Sequence, residues 1–183
     1  MTENYSIWIK PSGYMYNKLQ QEIATQAKEY GAPLFEPHVT LLPDIQGDEE
    51  QIIATMQQLA QETKKFRINF LNVVQGSSFH KCVYILVAKE QAIMAAGAAA
   101  QQAFGKAPAD YMPHLSLLYA DVDDTARTAS QQAAVQRLYG EGSDYKTLLT
   151  DNGFVAEAIS LWYTPVEDRS LASWKQVAEC PLS

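Results

Sequence analysis

The sequence is sparing with cysteine, with positive charge and with long apolar runs, and each shortage removes a class of function. Cys82 and Cys180 are the only cysteines in 183 residues. They form no C-x-x-C pair, so neither a disulfide scaffold nor a cysteine zinc site is indicated. The sequence does not fix the distance between them, and reduced thiols in a cytoplasmic protein are the expectation. Fourteen Lys and Arg against 21 Asp and Glu leave a net charge of −7. A chain this acidic lacks the field that holds long nucleic acid by its phosphates, although a small anion in a local pocket remains compatible. The start, Met1-Thr2-Glu3-Asn4-Tyr5-Ser6, has neither the basic nor the apolar region of a signal peptide. The longest apolar run, residues 92–100, is nine residues, well short of the roughly 20 that a bilayer requires, so no membrane partner is expected. The sequence also has no G-x-x-x-x-G-K-[ST], G-x-G-x-x-G or G-x-S-x-G, the signatures of nucleoside triphosphatases, dinucleotide sites and serine hydrolases.

What is present suffices for a core. Apolar residues make up 47% and charged residues 19%, a globular balance, and the length suits one domain over residues 1–183, at most built of two similar lobes. Alternation predicts a strand over 5–10, closed by Pro11-Ser12-Gly13. Leu19, Ile23 and Ala27 at four-residue steps predict a helix ending at Gly31. A strand over 35–42 follows, then a helix capped by Asp48 with Ile52, Met56 and Leu59 on its apolar stripe. The segment 66–74 reads as a strand, Gly76-Ser77-Ser78 as a hairpin turn, 79–88 as the returning strand and 89–104 as a helix. A strand over 111–119 precedes a helix capped by Asp123 or Asp124. Strands at 145–150, 154–163 and 174–180 complete an α+β pattern, with a polar loop over 164–170.

One hexapeptide occurs twice: Pro37-His38-Val39-Thr40-Leu41-Leu42 and Pro113-His114-Leu115-Ser116-Leu117-Leu118, 76 positions apart. In a strand, residues two apart share a face. His38 and Thr40 therefore project together, as do His114 and Ser116, while the intervening aliphatics pack behind. Two of the chain's three histidines thus occupy equivalent places. Two imidazoles on one cleft suit phosphodiester chemistry: one, neutral, accepts a proton while the other, charged, donates one, and the Thr40 and Ser116 hydroxyls can hydrogen-bond phosphate oxygens. Neither histidine has a second ligand at metal-binding spacing except Glu36, which reads equally as a rim charge. No metal or cofactor is expected.

Paired H-x-[Thr/Ser] strands resemble the two-histidine phosphoesterase superfamily. Tyr5-Ser6-Ile7-Trp8, Pro37-His38-Val39-Thr40 and the segment from Tyr111 to Ala120 are most similar to its plant-type cyclic phosphodiesterase branch. The resemblance implies two pseudo-symmetric lobes, each a small antiparallel sheet with flanking helices, around a central cleft. It implies His38 and His114 as the acid/base pair, Thr40 and Ser116 as phosphate ligands, and Trp8 and Tyr119 as cleft aromatics. It further implies hydrolysis of ADP-ribose 1″,2″-cyclic phosphate to the 1″-phosphate, as after tRNA splicing, and of nucleoside 2′,3′-cyclic phosphates to 2′-phosphates.

The residues themselves leave some readings open. Trp8 shares a strand face with Ser6 and Lys10, compatible with stacking on a base or ribose and equally with plain burial. Tyr119 faces away from His114 in a regular strand and reaches the site only if the strand ends or bulges after Ser116. His80 could stack on a ligand or be a solvated hairpin residue. Alternatives to the small cyclic phosphate nucleotide are RNA ends, in the manner of an RNA 2′,3′-cyclic phosphodiesterase or 2′-5′ RNA ligase, and a nucleotide-binding module without turnover. A monomer is the expected state.

Overall fold

The computed structural model describes residues 3–140 and 152–183. Its elements run β1 (Tyr5–Ile9), α1 (Gly13–Tyr30), β2 (Val39–Ile45), α2 (Glu49–Glu62), β3 (Phe66–Ser78), β4 (Lys81–Val87), α3 (Gln91–Ala103), β5 (His114–Leu118), α4 (Asp124–Tyr139), β6 (Gly153–Ala156), β7 (Ala158–Tyr163) and β8 (Lys175–Pro181). The strand expected at 145–150 lies outside the described residues.

The strands form one sheet in the order β6-β3-β4-β5-β2-β1-β7-β8, every registered pair antiparallel. The two lobes are its halves, joined edge to edge where β2 meets β5. That junction has a single registered pair, Val39 with Leu115, and residues beside it on both strands, His38, Thr40 and His114, line a cleft at the seam. Tyr111 ties the junction by donating its hydroxyl to the Thr40 carbonyl at 2.9 Å. The two halves repeat each other in detail. Trp8 pairs with Thr40 and Ile9 with Val39; at the same 76-residue offset, Tyr84 pairs with Ser116 and Ile85 with Leu115.

Burial explains why the halves hold. All five β1 residues are buried, as a strand hydrogen-bonded on both edges and covered on both faces requires. Val39, Leu41, Leu115 and Leu117 are at most 2% exposed. Each such side chain removed from water is worth roughly 1.5–3 kcal/mol. They point away from the histidine face, toward the helices, since α1 packs on β5 and α3 on β2.

Helix ends match their sequence signals. Asp48 accepts from the Gln51 N–H and Asp123 from the Ala126 N–H, each satisfying an otherwise unpaired helical donor, and Gly31 closes α1 in the left-handed conformation at φ 61°.

Two expectations are corrected. The β3–β4 turn is Phe79-His80, between the paired Ser78 and Lys81, not Gly76-Ser77-Ser78. Gly76 answers a different demand, because a Cβ there would lie 2.2 Å from the Lys81 carbonyl oxygen. Segment 154–163 is two strands: β6 pairs with β3 and β7 with β1. Glu157 alone separates the first strand of the order from the seventh, which requires the sheet to curl strongly.

Candidate active site

His38 and His114 are built alike. Each follows a proline, which needs no ladder hydrogen bond at that point, and each places its ring nitrogen Nδ1 against the carbonyl two residues earlier. The distances are 2.6 Å from His38 to the Glu36 oxygen and 2.9 Å from His114 to the Met112 oxygen. A carbonyl only accepts, so Nδ1 carries the proton in both neutral rings and Nε2 remains for the cleft. Extending the antiparallel register from Val39 and Leu115 sets His38 across from Ser116 and His114 across from Thr40.

The surroundings of the two rings differ. His38 is 4% exposed and lies flat on Trp8, with centroids 3.5 Å apart and planes within 6°. Burial pushes its pKa down to about 3, with the charges of His114 and Lys10 acting in the same direction and the Glu36 carbonyl opposing them. His114 is more open and meets Tyr84 only edge-on at 5.2 Å. Burial lowers its pKa too, with Lys81 adding and the Met112 carbonyl opposing. In the free protein both imidazoles are thus biased toward neutrality, His38 most strongly.

The cleft encloses about 400 Å³, and its walls include His38, Thr40, His114, Tyr119, Trp8 and Lys81. Thr40 opens onto it. Ser116 is 4% exposed and donates its hydroxyl proton to the His80 carbonyl at 2.9 Å. The Ser116 side chain therefore holds the Phe79-His80 turn in place. Tyr119 reaches the site because β5 stops at Leu118, which frees the next residue from strand alternation. Its ring stacks on Phe35 at 3.9 Å.

Trp8 forms part of the wall, but not as an open stacking surface. It is 2% exposed, with His38 on one side and Trp162 stacked at 4.2 Å. These neighbours come from the residue that leads into β2 and from β7, the strands flanking β1 on its two edges, so both faces of the indole are occupied. The open aromatic surface belongs instead to His80 and Trp174, whose rings lie 6.2 Å apart and within 13° of parallel. Trp174 went unnoticed in the sequence, where an aromatic opening the last strand carries no distinguishing pattern. Among the described residues, no three His, Cys, Asp or Glu side chains gather where a metal ion could be held. Both cysteines are free and buried, and none of the described helices is long and apolar enough to cross a membrane.

Known proteins resemble this chain in sequence and in fold. The family model described as cyclic phosphodiesterase-like protein matches residues 1–142. A cyclic phosphodiesterase of Arabidopsis thaliana is 27% identical over 180 residues, covering 98% of this chain and 95% of that protein. The crystal structure of E. coli LigT complexed with phosphate superimposes with a TM-score of 0.60 at 11% identity, covering 100% of this chain and 98% of that one. A crystal structure of a phosphoesterase gives 0.63 at 12% identity, covering 100% and 99%. At these identities the structural likeness concerns the fold alone.

Proposed function

The chain belongs to the cyclic phosphodiesterase-like family of the two-histidine phosphoesterases, and from that premise we propose that it opens small cyclic phosphate nucleotides without a metal ion. The substrates are ADP-ribose 1″,2″-cyclic phosphate, yielding the 1″-phosphate, and nucleoside 2′,3′-cyclic phosphates, yielding 2′-phosphates. The observation that carries the reading is the matched pair of imidazoles, each committed through Nδ1 to a backbone carbonyl and left with Nε2 for the cleft.

Unequal burial supports a division of labour. His38, deeply buried and biased to neutrality, is the general base. His114, less enclosed, is the general acid, protonated when the negative phosphate enters beside it. Nε2 of His38 takes a proton from water as its oxygen bonds to phosphorus. The P–O3′ bond of a 2′,3′-cyclic nucleotide, or the P–O2″ bond of the ADP-ribose compound, breaks as His114 Nε2–H protonates the departing oxygen. Thr40 and Lys81 face the phosphate, while Ser116 supports the turn that carries His80. His80, Tyr119 and Trp174 receive the base or ribose, and the pose they set decides which ester oxygen lies over the acid.

The test is phosphorus NMR of the products from both substrates, with His38→Ala and His114→Ala alongside. Each variant is expected to lose about 100-fold or more in rate, the size of a missing general acid or base, and the wild type should form the 2′-phosphate and the 1″-phosphate. A product that is mainly the 3′-phosphate, or a histidine variant near full rate, would overturn the reading.

A further inference from the structure

The repeat supplies an internal control, because the two histidines share a backbone setting but not a side-chain setting. Around His38, five side chains close a circuit. The imidazole lies on Trp8 and Trp8 on Trp162. The ammonium of Lys10 sits over the Trp162 ring, 5.2 Å from its centroid, within cation–π range. The same ammonium pairs with the Glu36 carboxylate at 2.6 Å, and the Glu36 backbone carbonyl receives the His38 Nδ1–H. Shifting this set by 76 positions puts Tyr84 at Trp8, Leu86 at Lys10 and Met112 at Glu36. In the His114 half, Leu86 and Met112 stand where Lys10 and Glu36 do, the cation acting on the ring is Lys81 on the cleft side, and the ring contact among the described residues is an edge approach from Tyr84.

We propose that Lys10, Glu36 and Trp162 are positioning residues for His38, forming a brace that fixes the plane of its imidazole and its Nδ1–H so that Nε2 addresses the cleft. One hydrogen bond to Nδ1 leaves the ring free to swing about it; a flat stack removes that freedom. The stack is itself anchored. Trp162 donates its indole N–H to Ser160 Oγ at 3.1 Å, and Lys10 also donates to Gln176 on β8 at 3.1 Å. Lys10 couples the two supports by holding Trp162 and, through its ion pair, the residue whose carbonyl orients His38. None of the three lines the cleft; they reach it through the Trp8–His38 stack and the Glu36 carbonyl. The titratable groups acting on the ring are Lys10, just after β1, and His114 on β5, and Lys10 is itself paired with Glu36.

The inference rests on His38 being the general base, and its test separates the two claims. Lys10→Met and Glu36→Gln alter partly exposed side chains and should each lower kcat about tenfold, the order expected for a slight misplacement of a catalytic group. KM should stay within about twofold, and Lys10→Arg should recover most of the rate. In a His38→Ala background, Lys10→Met should change the residual rate by less than about twofold, because the brace then has nothing to position. Imidazole NMR should show the His38 Nδ1–H signal weakened by Lys10→Met and that of His114 unchanged. Full kcat and intact signals in both single variants, with His38→Ala inactive, would overturn the brace and leave the base assignment standing. A full rate in His38→Ala would overturn the assignment and the brace together.

Discussion

Acid should destabilise this protein in a way that can be traced to one side chain. His38 is 4% exposed and burial holds its pKa at about 3, against 6.5 in the unfolded chain. Between those values the unfolded chain binds a proton that the folded chain refuses, so stability falls as the pH drops. The contribution is fully present above 6.5 and lost progressively down to about 3. At about 1.4 kcal/mol per pH unit, the whole interval amounts to at most about 5 kcal/mol, a large share of the roughly 5–15 kcal/mol that stabilises a typical domain. Burial lowers the pKa of His114 and His80 in the same direction, so the wild type carries more than one such group. His38→Gln removes one while keeping a polar side chain near the Glu36 carbonyl. Urea unfolding, followed by tryptophan fluorescence at several pH values from about 7 to 4.5, gives the stability of both proteins. The variant is expected to be weaker at neutral pH, with the wild type's advantage shrinking steadily below pH 6.5. A difference between the two that stays constant over that range would refute the claim that His38 is buried neutral.

Three further outcomes follow from the site. Because burial lowers the pKa of both imidazoles, a base that must be neutral and an acid that must be protonated place the optimum of kcat/KM on the acid side of 6.5, with a decline through neutrality; initial rates across pH 4 to 9 check this, and an optimum above pH 7.5 contradicts it. Thr40→Ala should raise KM and lower kcat more than Ser116→Ala, since the Thr40 hydroxyl faces the cleft while that of Ser116 is engaged with the His80 carbonyl; steady-state kinetics on a 2′,3′-cyclic nucleotide decide between them. EDTA should leave turnover unchanged, and loss of activity restored by a divalent ion would remove the two-histidine mechanism.

The legible parts of the fold were those in which the signal and its structural cause lie within a few residues of each other. Asp48, Asp123 and Gly31 act on the helix ends beside them, so their chemistry could be read directly. The hairpin turn is not legible locally, because Gly76 answers a close approach of the Lys81 carbonyl, while Phe79-His80, with no strong turn residue, is held by Ser116, 36 positions away. The break at Glu157 escaped notice for a similar reason. Both flanking segments have strand composition, and only the curl of the sheet assigns them to different partners.

The same distinction runs through the site. A repeated hexapeptide announces two equivalent imidazoles, and the structure places both on one cleft, but the proposed acid/base reading needs them to be unequal: one ring must take a proton while the other gives one. Nothing inside the repeat supplies that difference, since both motifs read proline, histidine, aliphatic, hydroxyl. It comes from residues brought in by other strands. Trp162 reaches the circuit across β1 and Lys10 binds back to Glu36, so that His38 is enclosed while His114 keeps a single edge contact. Trp8 shows why this was hidden. Its strand face is readable from alternation alone, but whether that face is open depends on what β7 and the residue leading into β2 place beside it. Both placed rings there, and an indole that would otherwise be free to stack on a ligand became the support for the imidazole. Symmetry of the backbone thus yields two matched imidazoles, and asymmetry of the packing around them lowers the proton affinity of His38 further than that of His114.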